Sequence, residues 1–318
     1  MTMYPADHGR SSGRLMTGTF TLVAFHAHPD DEALLTGGTI ARAAAEGHRV
    51  VLVMATLGQA GLAAGPQGDE LATRRRAELL ASAAALGCAR VETLGYLDSG
   101  LDGGFVPDGV AEGPAAQRFA DASVEEAAGL LAALLREEQA AVLTSYDVNG
   151  GYGHPDHVQV HRVGARAAEL AGTPVVLEAT IDRNSLRLLI WPLRLAGRLL
   201  PGPPLGGAAS AFTERGALTH RVDVRPYLAR KRAALLAHTS QTEGGRGWRT
   251  VGALVRLPAP LFALVAGHEY FVEPGRPPGL APSDDIFQTL RARKAALGHV
   301  VLQAGRGQTG SGDGAQNG

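Results

Sequence analysis

Along the first 180 residues, short β-branched and aliphatic runs alternate with longer Ala/Leu-rich segments. Thr21–Phe25, Val50–Met54, Arg90–Gly95, Ala141–Ser145 and Pro174–Glu178 read as strands, the first as a buried one and the third as the weakest. Between them, Glu32–Gly47, Glu70–Gly87, Ser123–Gln139 and Asp156–Gly172 read as helices, and Gly87 serves as a left-handed stop. This rhythm predicts an α/β fold: a Rossmann-like, doubly wound, mostly parallel sheet with helices on both faces and right-handed crossovers.

After residue 182 the rhythm is lost, and a smaller C-terminal cap region is expected there. Asn184–Leu200 is apolar, but Arg187, Arg194 and Arg198 fall on one helical face and Pro192 interrupts it. It reads as a surface helix with a solvated arginine face; a substrate lid and an interfacial segment are the sharper alternatives. Pro226–His238 reads as a helix with proline at its start. The expected organisation is a flexible N-terminus over 1–18, a core over 19–182, a substrate-shaping part of the same domain over 183–304, and a disordered Gly-rich tail over 305–318.

Composition narrows the function classes. A net charge of −1 over 318 residues leaves no electrostatic footprint for nucleic acid. A single cysteine, Cys88, excludes an intramolecular disulfide framework and a cysteine zinc finger, and it reads as an inert small hydrophobe. No apolar run reaches the ~18 to 20 residues of a membrane helix, so no stable membrane insertion is expected. Phe20–Phe25 is too short for a signal-peptide core, and a cytoplasmic protein is expected. The oligomeric state, a homo-oligomer included, stays open.

Two polar clusters carry the candidate chemistry. The first strand runs into His28-Pro-Asp-Asp-Glu32, and the fourth is followed by Tyr146 through Asn149-Gly-Gly-Tyr-Gly-His-Pro-Asp-His157. In a doubly wound sheet of order 3-2-1-4-5, strands 1 and 4 flank the point where strand order reverses, and ligands bind there. The two clusters are thereby expected to meet in one crevice. Imidazole and carboxylate without thiol suit Zn²⁺ or Fe²⁺. His28 and Asp31 at a helix start can face one point, with His154 or His157 as third ligand. Asp30, left beside Asp31, is then a natural general base. The remaining histidine, held by Asp156, would be an imidazolium that stabilises an oxyanion. Capping and turn chemistry account for a lone aspartate of this kind, but not for two such loops at two strand ends. Arg75, within Arg74–Arg76, reads on its own as part of a solvated helix face, and Asp98, in Asp-Ser-Gly, as a turn residue. His238 ends its helix, His161 packs or faces outward, and His268 reads as a strand residue. A nucleotide-binding dehydrogenase is disfavoured because no Gly-x-Gly-x-x-Gly follows a strand.

His26-Ala-His-Pro-Asp-Asp-Glu32 together with Asn149–His157 resembles the PIG-L/LmbE-like family of metal-dependent deacetylases. The second motif is most similar to the mycothiol-pathway deacetylases of N-acetylglucosaminyl-inositol, and Leu94–Leu101 to their sister mycothiol S-conjugate amidases. The resemblance spans residues 20–180 and is thin beyond, apart from Ala237–Gln241. It implies a zinc-dependent N-deacetylase acting on a small-molecule N-acetylglucosamine-type amino sugar. S-conjugate amide cleavage and natural-product or glycolipid de-N-acylation are the alternatives. It further implies that His28, Asp31 and His157 hold the metal and that Asp30 is the base. By the same resemblance, His154 oriented by Asp156 stabilises the oxyanion, Tyr152 reaches the tetrahedral intermediate, and Arg75 and Asp98 bind substrate.

Overall fold

The computed structural model describes residues 18–58, 69–100, 114, 117–188, 211–242, 250–277 and 280–307. Its elements run β1 (Thr21–His26), a π-helical turn (Glu32–Thr36), α1 (Gly37–Ala45), β2 (Arg49–Thr56), α2 (Asp69–Leu86), β3 (Arg90–Tyr96), α3 (Val124–Glu137), β4 (Val142–Tyr146), α4 (Pro155–Ala171) and β5 (Val175–Thr180). Then follow β6 (His220–Asp223), α5 (Leu228–Ala237), three short helices α6 (Thr239–Thr242), α7 (Thr250–Val255) and α8 (Ala259–Ala266), β7 (His268–Val272) and α9 (Gln288–Gly307).

One seven-stranded sheet has the order β3-β2-β1-β4-β5-β7-β6. The first five strands are parallel, in the order the sequence predicts, and β1 lies between β2 and β4. Leu22, Val23, Ala24 and Phe25 of β1 and Val50 through Ala55 of β2 are fully buried, as strands covered on both faces should be. Ser123 caps α3 by accepting from the Glu126 N–H, and Gly172 closes α4 in the left-handed conformation. The last two strands join in reverse: β7 is antiparallel to β5, and β6 to β7. Two antiparallel strands from the C-terminal third thus complete the sheet, although only His268 was read as a strand residue.

The helix expected over Glu32–Gly47 is broken at Thr36. Thr36 sits at φ −132°, where its hydroxyl donates to the Glu32 carbonyl at 3.2 Å and lies 2.9 Å from His26 Nε2. This side-chain competition with the helix ladder separates a π turn from α1. The Gly38 and Thr39 N–H groups donate instead to Glu269 of β7, at 2.8 and 2.7 Å. The Lys231 ammonium of α5 donates to the same carboxylate at 2.6 Å, and both side chains are nearly fully buried.

Gly38 itself is required by close approach. A Cβ there would lie 2.4 Å from Cβ of Val224. Gly38→Ala should therefore lower the melting temperature although alanine is the better helix former, because overpacking costs ~1–3 kcal/mol against a propensity gain of ~1 kcal/mol. Adding Val224→Ala should recover part of the loss; a Gly38→Ala protein as stable as the parent would refute the contact.

The arginine face expected over Asn184–Leu200 falls mostly outside the described residues, as do Trp191, Trp248 and the two terminal segments, although α9 extends to Gly307. Among the described residues no helix is long and apolar enough to cross a membrane.

Candidate active site

The two loops meet just beyond the C-terminal ends of β1 and β4. On the β1 side, the His28 N–H donates to Asp31 Oδ2 at 3.1 Å, and His28 Nδ1 lies 3.4 Å from the same oxygen. On the β4 side, Asp147 scaffolds the turn: its carboxylate accepts from the Asn149 and Gly151 N–H groups and from the Thr180 hydroxyl. Pro155 then starts α4 and brings His157 Nε2 within 3.4 Å of Asp31 Oδ2. One carboxylate oxygen of Asp31 is thereby shared by His28 and His157. The ring nitrogen of His157 is buried and makes no hydrogen bond among the described residues.

His154 stands in the same cluster, its ring 4.8 Å from His28 and 5.1 Å from His157. His28, His154 and His157 form one group with metal-binding spacing, every donor within 4.8 Å of the others; His28, Asp98, His154 and Asp156 form a second. Tyr152 is 57% exposed, with its ring 5.1 Å from His157, so it forms the solvent edge of the cluster.

Burial opposes charge on His28, but Asp156, Asp31 and Asp98 overcome it and hold the imidazole well above its ordinary pKa. Asp31 is held well below the usual carboxylate range by His157 and His28, against the opposing effect of burial. Three carboxylates around one imidazole form a charge pattern that a cation would balance. Asp30 behaves oppositely: burial and the neighbouring Asp31 charge push its carboxyl up to about 7.

Two expectations need correction. The Asp156 carboxylate does not orient His154; it accepts from the Ser99 hydroxyl at 2.5 Å and the Ser99 N–H at 3.0 Å, and lies 3.0 Å from His28 Nε2. His154 is instead set by the Asp156 backbone N–H, which donates to its Nδ1 at 3.1 Å. Burial, together with His28 and His157, pushes the His154 imidazole down to about 4, which runs against the imidazolium expected. A neutral ring that accepts at Nδ1 keeps its proton at Nε2.

Arg75 is not on a solvated face. It is 4% exposed, its Nη1 donates to the Gly58 carbonyl at 3.0 Å, and its charge acts on Asp30. Gly58 is at φ +68°, and a Cβ there would lie 1.6 Å from Arg75 Nη1. Asp98 makes the expected turn, its Oδ1 accepting from the Gly100 N–H at 2.9 Å, and the same oxygen lies 3.4 Å from His28 Nε2. His161 packs, its Nδ1 3.1 Å from the Tyr146 carbonyl, and burial pushes the Cys88 thiol up to about 12.

A model of the family PIG-L, GlcNAc-PI de-N-acetylase, matches residues 23–168. The 1D-myo-inositol 2-acetamido-2-deoxy-alpha-D-glucopyranoside deacetylase of Streptomyces avermitilis is 36% identical over 271 residues, 76% of this chain and 88% of the relative. The chain belongs to the PIG-L family. The identically named Acidothermus cellulolyticus protein shares 34% identity over 307 residues, 90% of this PIG-L chain and 97% of its own. The N,N'-diacetylchitobiose deacetylase of Pyrococcus horikoshii shares the fold, with a TM-score of 0.52 at 20% identity over 80% of this PIG-L chain and 83% of that one.

Sequence reasoning passed over the residues behind the loops of this PIG-L chain. Tyr146 receives the Ala27 N–H at its hydroxyl, which lies 3.0 Å from His26 Nδ1. Ser99 holds Asp156, and Glu32 sits fully buried beneath Asp30. Glu32 stood inside the first motif, the only signal that would have found it; Ser99 offered none beyond its turn.

Proposed function

We propose that this chain is a metal-dependent N-deacetylase that removes acetate from an N-acetylglucosamine-type amino sugar, with N-acetylglucosaminyl-inositol as its substrate. The observation that carries the reading is the shared Asp31 oxygen, 3.4 Å from both His28 and His157, with Asp30 adjoining it. The named activity of the two relatives, matched over 88% and 97% of their length, supports the substrate class.

The residues fit a metal ion. Among the described residues His157 Nε2 is a buried ring nitrogen without a hydrogen bond, its ion-pair partner Asp31 lying 3.4 Å away, and three carboxylates surround His28. The donors are nitrogen and oxygen only, which suits Zn²⁺, with Fe²⁺ as the other choice. His28, Asp31 and His157 would hold the ion, and the Asp156 carboxylate behind His28 fixes that ring. A bound ion would polarise the acyl carbonyl and lower the pKa of a coordinated water towards 7.

Asp30 takes the proton of the attacking water. A carboxylate poised near neutral pH accepts that proton and then delivers it to the leaving amine, giving acetate and the free amino sugar. Neutral His154 directs its Nε2–H to the developing oxyanion, and Tyr152 adds a hydroxyl donor from the solvent edge. Arg75, whose Nε has no hydrogen-bond partner among the described residues, and Asp98 bind sugar or inositol hydroxyls.

The test is amine release from N-acetylglucosaminyl-inositol by metal-stripped protein, before and after Zn²⁺ or Fe²⁺ is restored. Release should appear only after restoration. No release despite one bound metal per chain would overturn the substrate assignment.

A further inference from the structure

We propose that Glu32 and His238 form a buried positioning pair for Asp30, through which the C-terminal third of the chain sets the direction of that carboxylate. The proposal rests on the assignment of Asp30 as the base.

Asp30 is one of three non-glycine residues with positive φ among those described, at +117°. An L-residue holds such a backbone only where its surroundings impose it. The Asp30 N–H donates to Glu32 Oε2 at 2.9 Å. The other oxygen, Oε1, accepts from the Ser82 hydroxyl of α2 at 2.5 Å and from His238 Nε2 at 2.6 Å. Glu32 and His238 are both fully buried. The Glu32 carboxylate is thus committed to the turn that presents Asp30.

His238 is held in turn. It ends α5, and the residues after it are fastened to Glu78 of α2. The Thr239 hydroxyl donates to Glu78 at 2.7 Å, the Ser240 N–H at 2.8 Å and the Ser240 hydroxyl at 2.6 Å. The Ala237–Gln241 motif therefore has a structural assignment: it delivers an imidazole to Glu32, 206 positions earlier in the chain. Glu32→Gln leaves one acceptor oxygen for three donors, so when that oxygen turns to Ser82 and His238 the Asp30 N–H loses its bond and the turn can relax towards negative φ. That relaxation swings the carboxylate away from the point where it meets water, and a displacement of ~1 Å costs up to ~10²-fold in rate.

Metal-loaded Glu32→Gln, His238→Gln and Ser82→Ala, each alone and combined with Asp30→Asn, would be compared on N-acetylglucosaminyl-inositol. The readouts are kcat, KM, bound metal per chain and melting temperature. Glu32→Gln and His238→Gln should lower kcat by ~10- to 100-fold, with KM within about twofold and metal content unchanged. Ser82→Ala, which removes one donor, should fall less in the same direction and remains informative if Glu32→Gln does not fold. In the Asp30→Asn background, none of the three should lower residual turnover further. A merely structural role would shift the melting temperature and leave kcat per metal-loaded site unchanged, which overturns the proposal. So does an equal kcat loss in both backgrounds, or a loss that follows metal content. If Asp30→Asn alone keeps parental kcat, the base assignment itself has failed; if it is slow while the pair variants run at parental kcat, only the positioning role has.

Discussion

Asp30→Ala should lower turnover by ~10²-fold or more while the protein retains its metal. One Asp31 oxygen lies 3.4 Å from a ring nitrogen of both His28 and His157, and the Asp30 side chain takes part in neither contact. What the substitution removes is a carboxyl that burial and the Asp31 charge push up to about 7. His157→Ala should do the reverse in binding and lose the ion. The measurement is kcat beside metal stoichiometry for both variants. Near-parental turnover by metal-loaded Asp30→Ala would assign the proton transfer to another group.

The largest expected effect on stability is at Glu269. Its carboxylate receives two N–H groups at the start of α1 and the Lys231 ammonium, all in the interior. Glu269→Ala leaves a buried cation and two buried donors without partners, at a cost of ~3–5 kcal/mol. Lys231→Met should cost less, because Glu269 keeps both N–H donors. Urea unfolding of the two variants gives the comparison, and a Glu269→Ala loss below ~1 kcal/mol would show that the pair contributes little.

The core of the fold was legible because its strands are apolar runs separated by helices of ordinary length. Arg90–Tyr96 shows the limit: its strand is only partly buried, and its pattern was correspondingly the weakest. β6 and β7 have four and five residues, and polar or charged side chains take up most of them, so they left no apolar run to read. The site loops were legible because His, Asp and Pro clustered where strands end. Their supports were not. Glu32 meets His238, and Glu269 meets Gly38, across more than 200 residues, and no local periodicity encodes such a meeting. Arg75 was hidden by its neighbours: in a run of three arginines, spacing alone does not show which one points inward.

Glu32 and His238 also set an order in time. On a ribosome that adds ~5 to 20 residues per second, about 10 to 40 s separate the synthesis of the first motif from that of its histidine partner. His28, Asp31 and His157 are all made before residue 158, whereas the brace under Asp30 waits for residue 238. On the assignments proposed above, a nascent chain carries its ion-binding residues well before it carries the brace that the amide-cleaving carboxylate needs.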